Sequence, residues 1–206
     1  MEKMKMKMIR PIITILAILS LSFYFTSCNP IEDETQSATM LIVNNITGYD
    51  IEGNEANFLQ SDVLKVDETT GNTYVTADKA KATLSAQLLQ PNAPLGASQY
   101  NSILVTRYVV SYIRTDGKST EGVDVPYSFE GSLSTLVEVG QSVEISFIVV
   151  RAAAKLEPPL LNLAEGRAEG TLNVTAKIDF YGHDLANRKV KATGYLTIVF
   201  ANYIDQ

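Results

Sequence analysis

Apolar and polar residues alternate with a period of two over much of the chain. Successive side chains of a strand point to opposite faces, so this alternation predicts half-buried β-strands. It recurs in segments 79–89, 143–151, 171–180 and 190–200. In the first of these segments the apolar face consists of Ala80, Ala82, Leu84, Ala86 and Leu88.

Other segments complete a predicted all-β fold. Segment 40–46 is rich in β-branched residues, and segment 103–114 is apolar on both faces, which is typical of a central strand. Asp116-Gly117 marks a hairpin turn after it. Segment 57–65 is compatible with a short helix or a strand, and segment 156–164 with one helical turn after Pro159.

These elements amount to about seven strands without alternating helices, which favours an antiparallel Greek-key or immunoglobulin-like β-sandwich over residues 39–206. The pair of cysteines around a core tryptophan that marks true immunoglobulin domains is absent from the sequence, so only the architecture is implied. Gly194 interrupts the last strand and predicts a bulge there. That strand ends at Phe200-Ala201-Asn202-Tyr203, which we expect to form an edge available for strand addition.

The amino-terminal segment differs from the rest of the chain. Four basic residues within positions 1–10 precede an uncharged apolar run at 12–25. This order is that of a secretory signal peptide. The run is shorter than the roughly 20 residues that a membrane-spanning helix needs.

The residues after this run are Phe25-Thr26-Ser27-Cys28. They resemble the lipobox of bacterial lipoproteins, in which a bulky apolar residue and two small residues precede a cysteine. The resemblance implies that residues 1–27 are removed, that Cys28 receives a diacylglycerol, and that its new amino group is usually acylated as well. Asn29 stands where inner-membrane lipoproteins of some bacteria carry Asp, so the outer membrane is the implied destination. The alternative is an ordinary signal peptide cut near Ser27, with Cys28 left as a free thiol.

Composition changes when the signal peptide is set aside. The chain has 206 residues with 17 basic and 23 acidic side chains, a net charge of −6. Loss of residues 1–27 removes four basic side chains and one acidic one, so the mature chain carries −9. This balance argues against nucleic acid as a partner. A single cysteine excludes an intramolecular disulfide and a multi-cysteine metal cluster, and we expect no cofactor. Segment 28–38 is polar and acidic and predicts a flexible tether.

Few residues point to catalysis. His183, the one histidine, falls in a predicted turn at 182–188, where an exposed histidine beside the capping Asp184 is the favoured interpretation. No nucleophile elbow, P-loop or dinucleotide motif occurs. We therefore expect a protein that is not an enzyme.

Two acidic loops are candidate calcium sites, because Ca²⁺ prefers several carboxylate and carbonyl oxygens. One contains Asp50, Glu52 and Glu55, and the other contains Asp67-Glu68. Neither has the complete spacing of a known calcium loop, so solvated surface loops are favoured and no metal site is predicted.

Tyrosines and arginines on strands raise further alternatives. Tyr108 and Tyr112 share a face, whereas Tyr181 and Tyr195 point away from the apolar faces. Either set is compatible with a binding stripe, but cross-strand pairing is favoured. Two arginines lie on largely apolar strands, so one of them is expected to form a structural ion pair with Asp179 or Glu144. These arginines are Arg107 and Arg151.

The mature domain resembles uncharacterised envelope lipoproteins of environmental Gram-negative bacteria in short stretches at 61–64, 115–118 and 123–127. The leading expectation is a lipid-anchored envelope lipoprotein whose domain is structural or binds another envelope protein. The alternative is a lipoprotein that binds a glycan or calcium, and a minor one is an envelope hydrolase.

Overall fold

A computed structural model describes residues 37–203, apart from positions 68, 93, 95 and 169. The described part of the chain is mostly β-structure, as the alternation predicts. Its strands are β1 (Thr39–Tyr49), β2 (Glu55–Ala56), β3 (Phe58–Asp62), β4 (Lys65–Val66), β5 (Thr73–Tyr74), β6 (Asp78–Leu88), β7 (Ile103–Arg114), β8 (Phe129–Val137), β9 (Ser142–Val150), β10 (Leu172–Asp184) and β11 (Lys189–Ala201).

The strands form two large sheets and one small hairpin. The four-stranded sheet has the order β2-β1-β6-β9, with every pair antiparallel. The five-stranded sheet has the order β3-β11-β10-β7-β8. In this sheet β3 runs parallel to β11, so the sheet is mixed rather than wholly antiparallel as predicted. Strands β4 and β5 pair only with each other among the described strands.

The two large sheets share one apolar core, which gives the domain a β-sandwich-like character. Phe147 of β9 and Phe180 of β10 meet edge to face, with ring centroids 5.4 Å apart. Tyr108 of β7 contacts both rings from the same layer. The predicted apolar face of β6 is buried against this layer, with Ala80, Ala82, Leu84 and Ala86 at most 1% exposed.

Three local features of the strands differ from what the sequence pattern indicated. The strand β8 was not predicted, because Gly131 and Thr135 interrupt the apolar residues of its inner face. Gly194 causes no register shift between β10 and β11; instead, a side chain there would overlap Ile46 and Val43 of β1. The end of β11 is not an edge, since residues 197–201 pair with β3.

Helical structure is limited to short segments of the described chain. One helical turn, α1 (Leu160–Ala164), follows Pro159 as predicted. Two 3₁₀ helices span Gln99–Asn101 and Ala152–Leu156. Among the described residues, no helix is both long enough and apolar enough to cross a membrane.

Candidate functional site

A fully buried lysine forms the most unusual polar cluster of the domain. Lys155, in the 3₁₀ helix Ala152–Leu156, has no exposed surface. Its Nζ donates to the carbonyl oxygen of Asp62 at 2.6 Å and lies 3.1 and 2.9 Å from the two carboxylate oxygens of Asp78. The Ser61 hydroxyl donates to the same carboxylate at 2.6 Å. Buried charges require such partners, because removal from water disfavours an unpaired ion.

This cluster joins parts of the chain that are distant in sequence. Asp78 begins β6 of the four-stranded sheet, whereas Ser61 and Asp62 end β3 of the five-stranded sheet. Lys155 thus ties both sheets to the connection between β9 and β10. Ser61 is completely buried, so its hydroxyl is inaccessible to a substrate in this structure. In the sequence, Lys155 is visible only as a lysine within the run AAAKL of mostly small residues. Nothing in that run indicates that the lysine is buried.

A cleft of about 350 Å³ lies beside this cluster. Its wall combines acidic, basic and apolar side chains, among them Asp50, Asp62, Lys65, Asp78 and Leu59. Such a mixed wall offers hydrogen-bonding groups to a polar ligand. Asp62 Oδ1 accepts from the backbone N–H groups of Leu64 and Tyr203 at 3.3 Å each, which fixes that side chain within the wall.

The acidic side chains of the first candidate calcium loop form hydrogen bonds and ion pairs within the domain. The Asp50 carboxylate accepts from the backbone and side-chain nitrogens of Asn54, and these hydrogen bonds lower the pKa of Asp50. Glu55 accepts from the Thr47 hydroxyl at 2.8 Å and pairs with Lys81. Within the described residues, no three side chains of the types His, Cys, Asp and Glu gather as metal ligands.

Asp67 of the second acidic loop also acts locally. Its carboxylate accepts from the backbone N–H groups of Thr69 and Thr70, at 2.9 and 3.1 Å. These bonds lower the pKa of Asp67 and stabilise a turn. The other predicted member, Glu68, lies outside the described residues.

His183 and Asp184 close one end of the five-stranded sheet. His183 lies within β10 rather than in a turn and is half-buried, opposite Leu104 of β7. Asp184 caps the following turn, as predicted, because it accepts from the N–H groups of Ala186 and Arg188. Its second carboxylate oxygen accepts from the Ser37 hydroxyl at 2.7 Å. Ser37, which falls in the predicted tether, is therefore held in the fold.

The two tyrosines of β7 serve the core. Tyr108 and Tyr112 are about 5% exposed or less. The Tyr112 hydroxyl donates to the carbonyl of Val149 at 2.6 Å, so it bonds the edge strand β9 from the opposite sheet. Burial, the largest influence, raises the pKa of Tyr112. Neither side chain belongs to an exposed stripe.

The two tyrosines that were predicted to point away from the apolar faces differ in their exposure to solvent. Tyr195 is 62% exposed. Tyr181 is covered by the Arg107 guanidinium, whose carbon lies 4.0 Å from the ring centroid. Arg107 also pairs with Glu130 at 2.8 Å, so neither partner that we predicted for the ion pair is used there.

Arg151 and Asp179 have other partners. The Arg151 guanidinium lies over the Phe129 ring at 4.7 Å. Asp179 accepts from the Thr193 hydroxyl and pairs with Lys177 and Lys191. Burial acts to raise the pKa of Asp179, but these hydrogen bonds outweigh it and hold the pKa below its usual value.

The connection between β7 and β8 forms an ordered projection, here called the Thr120 loop (residues 115–128). Three consecutive N–H groups, those of residues 123–125, donate to the carbonyl of Thr120 at 2.8–3.2 Å. Val125 is fully buried and fastens the loop to the core. The loop holds Val123 and Tyr127 in the solvent, at 68% and 48% exposure.

No family model, curated protein or solved structure matches this chain. The predicted lipid-attachment site at Cys28 and the signal sequence before it lie outside the described residues.

Proposed function

We propose that the protein is a lipid-anchored lipoprotein of the bacterial cell envelope whose domain binds another envelope protein. The position of Cys28 carries the proposal: the chain's single cysteine stands directly after the apolar run, in the lipobox-like Phe25-Thr26-Ser27-Cys28. Two or more acyl chains give the stable membrane attachment that one chain does not. The outer membrane is the proposed location. An immunoglobulin-like or other Greek-key arrangement of the strands is part of the same proposal.

The Thr120 loop is the proposed contact for the partner. Its backbone hydrogen bonds fix Val123 and Tyr127 before any partner arrives, and preorganisation lowers the entropy lost on binding. An exposed aromatic side chain beside an exposed aliphatic one is a composition that favours protein recognition. Asp124, in the same loop, accepts from the Thr120 N–H at 3.3 Å and helps to hold the loop.

The buried cluster has a structural role in this proposal. Lys155 Nζ is directed at Asp62 and Asp78, and Ser61 donates to the same Asp78 carboxylate. Lys155 and Ser61 are fully buried and both bond the Asp78 carboxylate, so the proposed role of the cluster is to hold the two sheets together.

Fractionation of cells that express the full chain tests the anchor. We expect the wild-type protein in the membrane fraction and the Cys28→Ala variant in the soluble envelope fraction. Retention of Cys28→Ala in the membrane at the mass of the chain without residues 1–27 would show that the anchor proposal is wrong. Ser27→Ala serves as a matched control, because it changes the neighbouring residue but keeps a small side chain there and keeps the thiol.

Site-specific photo-crosslinking in intact cells tests the partner surface. A crosslinking side chain replaces Val123 in one variant and Tyr195 in the control, which is similarly exposed on a sheet face. We expect one discrete adduct of higher mass from position 123 and none from position 195. Equal yields at both positions, or no adduct at either, would contradict a partner on the Thr120 loop.

A further inference from the structure

The described chain begins at the end of the sheets where β10 finishes. Ser37 is buried there and bonds Asp184, at the end of β10. The residues between Cys28 and Ser37 number eight. Fully extended, that much chain spans roughly 30 Å. A lipid on Cys28 would therefore keep this end of the domain near the membrane.

Exposed apolar side chains surround the point where Ser37 is fixed. They are Met40, Leu89, Tyr100 and Leu185, with exposures of 40%, 55%, 59% and 43%, and are here called the proximal face. Backbone contacts hold its segments together. The Leu89 N–H donates to Ala38, and the Leu185 N–H donates to Ser102, one residue beyond the 3₁₀ helix that contains Tyr100.

The proximal face is poor in acidic groups although the domain as a whole is acidic. Segment 89–102 contains no charged residue. The turn after β10 contributes Arg188, and Lys189 follows it at the start of β11, both exposed. In the described loops at this end Glu138 is an exposed acid, and the tether before Ser37 adds Glu32, Asp33 and Glu34 to the sequence on this side.

Charged side chains are more frequent in the loops at the opposite end of the sheets. There the exposed apolar residues stand directly beside acids, as Ile51 does between Asp50 and Glu52, and Val123 beside Asp124. At that end the cations Arg114 and Lys118 lie beside acids and pair with Asp116, whereas the proximal face offers a lipid surface apolar area and two cations.

We propose that the proximal face lies on the lipid surface, with Leu89 and Tyr100 in the headgroup region. This inference rests on the proposed lipid anchor at Cys28, which would hold the face at high local concentration near the bilayer. Tyrosine suits this position because its ring is apolar and its hydroxyl remains hydrated. Strand β7 has 12 residues and begins at this end. At about 3.3 Å per residue it carries the Thr120 loop roughly 36 Å away from the lipid.

Fluorescence quenching on the full acylated protein tests this orientation. Acylation occupies Cys28, so an introduced cysteine is the one free thiol. Leu89→Cys and Tyr100→Cys are labelled with an environment-sensitive fluorophore in phosphatidylethanolamine–phosphatidylglycerol vesicles that carry a headgroup nitroxide. Val123→Cys is the matched control from the opposite end. We expect several-fold stronger quenching at positions 89 and 100 than at 123.

The same vesicles separate this inference from the anchor proposal. If the protein floats with vesicles but positions 89 and 100 are quenched no more than 123, the orientation is wrong and the anchor stands. If the wild-type protein floats no better than Cys28→Ala, the anchor proposal fails and the orientation fails with it. A variant with Leu89→Glu and Tyr100→Glu should still float through its lipid, and a label on its residue 185 (Leu185→Cys) should lose most of its quenching. Unchanged quenching of that label would also overturn the orientation.

Discussion

Lys155 Nζ lies 2.9 Å from Asp78 Oδ2, and the lysine side chain has no contact with solvent. The partners are 77 positions apart in sequence. Lys155 belongs to the 3₁₀ helix after β9, and Asp78 begins β6. Because Lys155 also donates to the carbonyl of Asp62 at the end of β3, the ion pair connects the two sheets. The net stability that a buried ion pair adds is smaller than the cost of removing one partner. The reason is that the remaining partner is left as a buried charge without compensation.

Replacement of Lys155 by methionine should therefore destabilise the domain strongly. The Asp78 carboxylate would remain largely buried without its cation, and loss of one partner of a buried pair costs about 3–5 kcal/mol. Chemical denaturation of the full chain measures the free energy of unfolding. Lys79→Met, at the exposed neighbouring position, is the control and should change that free energy by less than about 0.5 kcal/mol. Equal stability of the two variants would contradict a structural role for the ion pair.

This cluster illustrates what the sequence could and could not predict. Alternation correctly assigned the buried faces of β6, β9 and β10, since side-chain direction depends only on period. Pairing depends on contacts between distant segments, so the parallel association of β3 with β11 was not accessible. Lys155 was missed for the same reason: its burial is possible only because Asp78 and Asp62 come to it from elsewhere. Strand β8 was missed for a local reason, because Gly131 and Thr135 interrupt the apolar residues of its inner face.

Tyr112 should make stability sensitive to alkaline pH. Its folded-state pKa is raised by burial, while the unfolded-state pKa is about 10. The neutral hydroxyl therefore contributes its full stabilisation below about pH 10, and this contribution declines as the pH rises above that value, by up to about 1.4 kcal/mol per pH unit. Tyr112→Phe should make the decline shallower, at a cost of about 1–3 kcal/mol because the Val149 carbonyl loses its donor.

Thermal unfolding followed between pH 8 and pH 11 measures this effect. Tyr195→Phe is the matched control, because its hydroxyl lies on an exposed ring. Identical pH slopes for wild type and Tyr112→Phe would show that the buried hydroxyl has no part in alkaline destabilisation.

Gly194 should tolerate no side chain without rearrangement of β1. A Cβ atom at this position would lie 2.5 Å from Ile46 Cδ1 and 2.8 Å from Val43 Cγ1. Gly194→Val is therefore expected to overpack the contact between the sheets and to cost about 1–3 kcal/mol. Denaturant unfolding measures the loss, and Thr197→Val, at an exposed position of the same strand, is the control. If Gly194→Val were as stable as Thr197→Val, the close approach of β1 and β11 would be wrong.

Asp184 should determine how firmly the start of the domain is held. One of its carboxylate oxygens accepts two backbone N–H groups of the turn after β10, and the other accepts the Ser37 hydroxyl. Asp184→Ala removes all three bonds, and hydrogen bonds to a charged group contribute about 1.5–3 kcal/mol each at most. Ser37→Ala removes only the third. Because Ser37 Oγ also accepts from the Thr39 N–H at 3.0 Å, both variants should expose that amide to solvent.

Hydrogen exchange resolved at Thr39 tests this relationship directly. We expect faster exchange at Thr39 in both variants, whereas the amides of Ala186 and Arg188 should exchange faster only in Asp184→Ala. Asp116→Ala, in the exposed turn at the opposite end, should leave all three amides unchanged. Unchanged exchange at Thr39 in Ser37→Ala would mean that the hydroxyl does not fix the start of β1. The effective tether between lipid and domain would then be longer than the eight residues that the orientation on the membrane assumes.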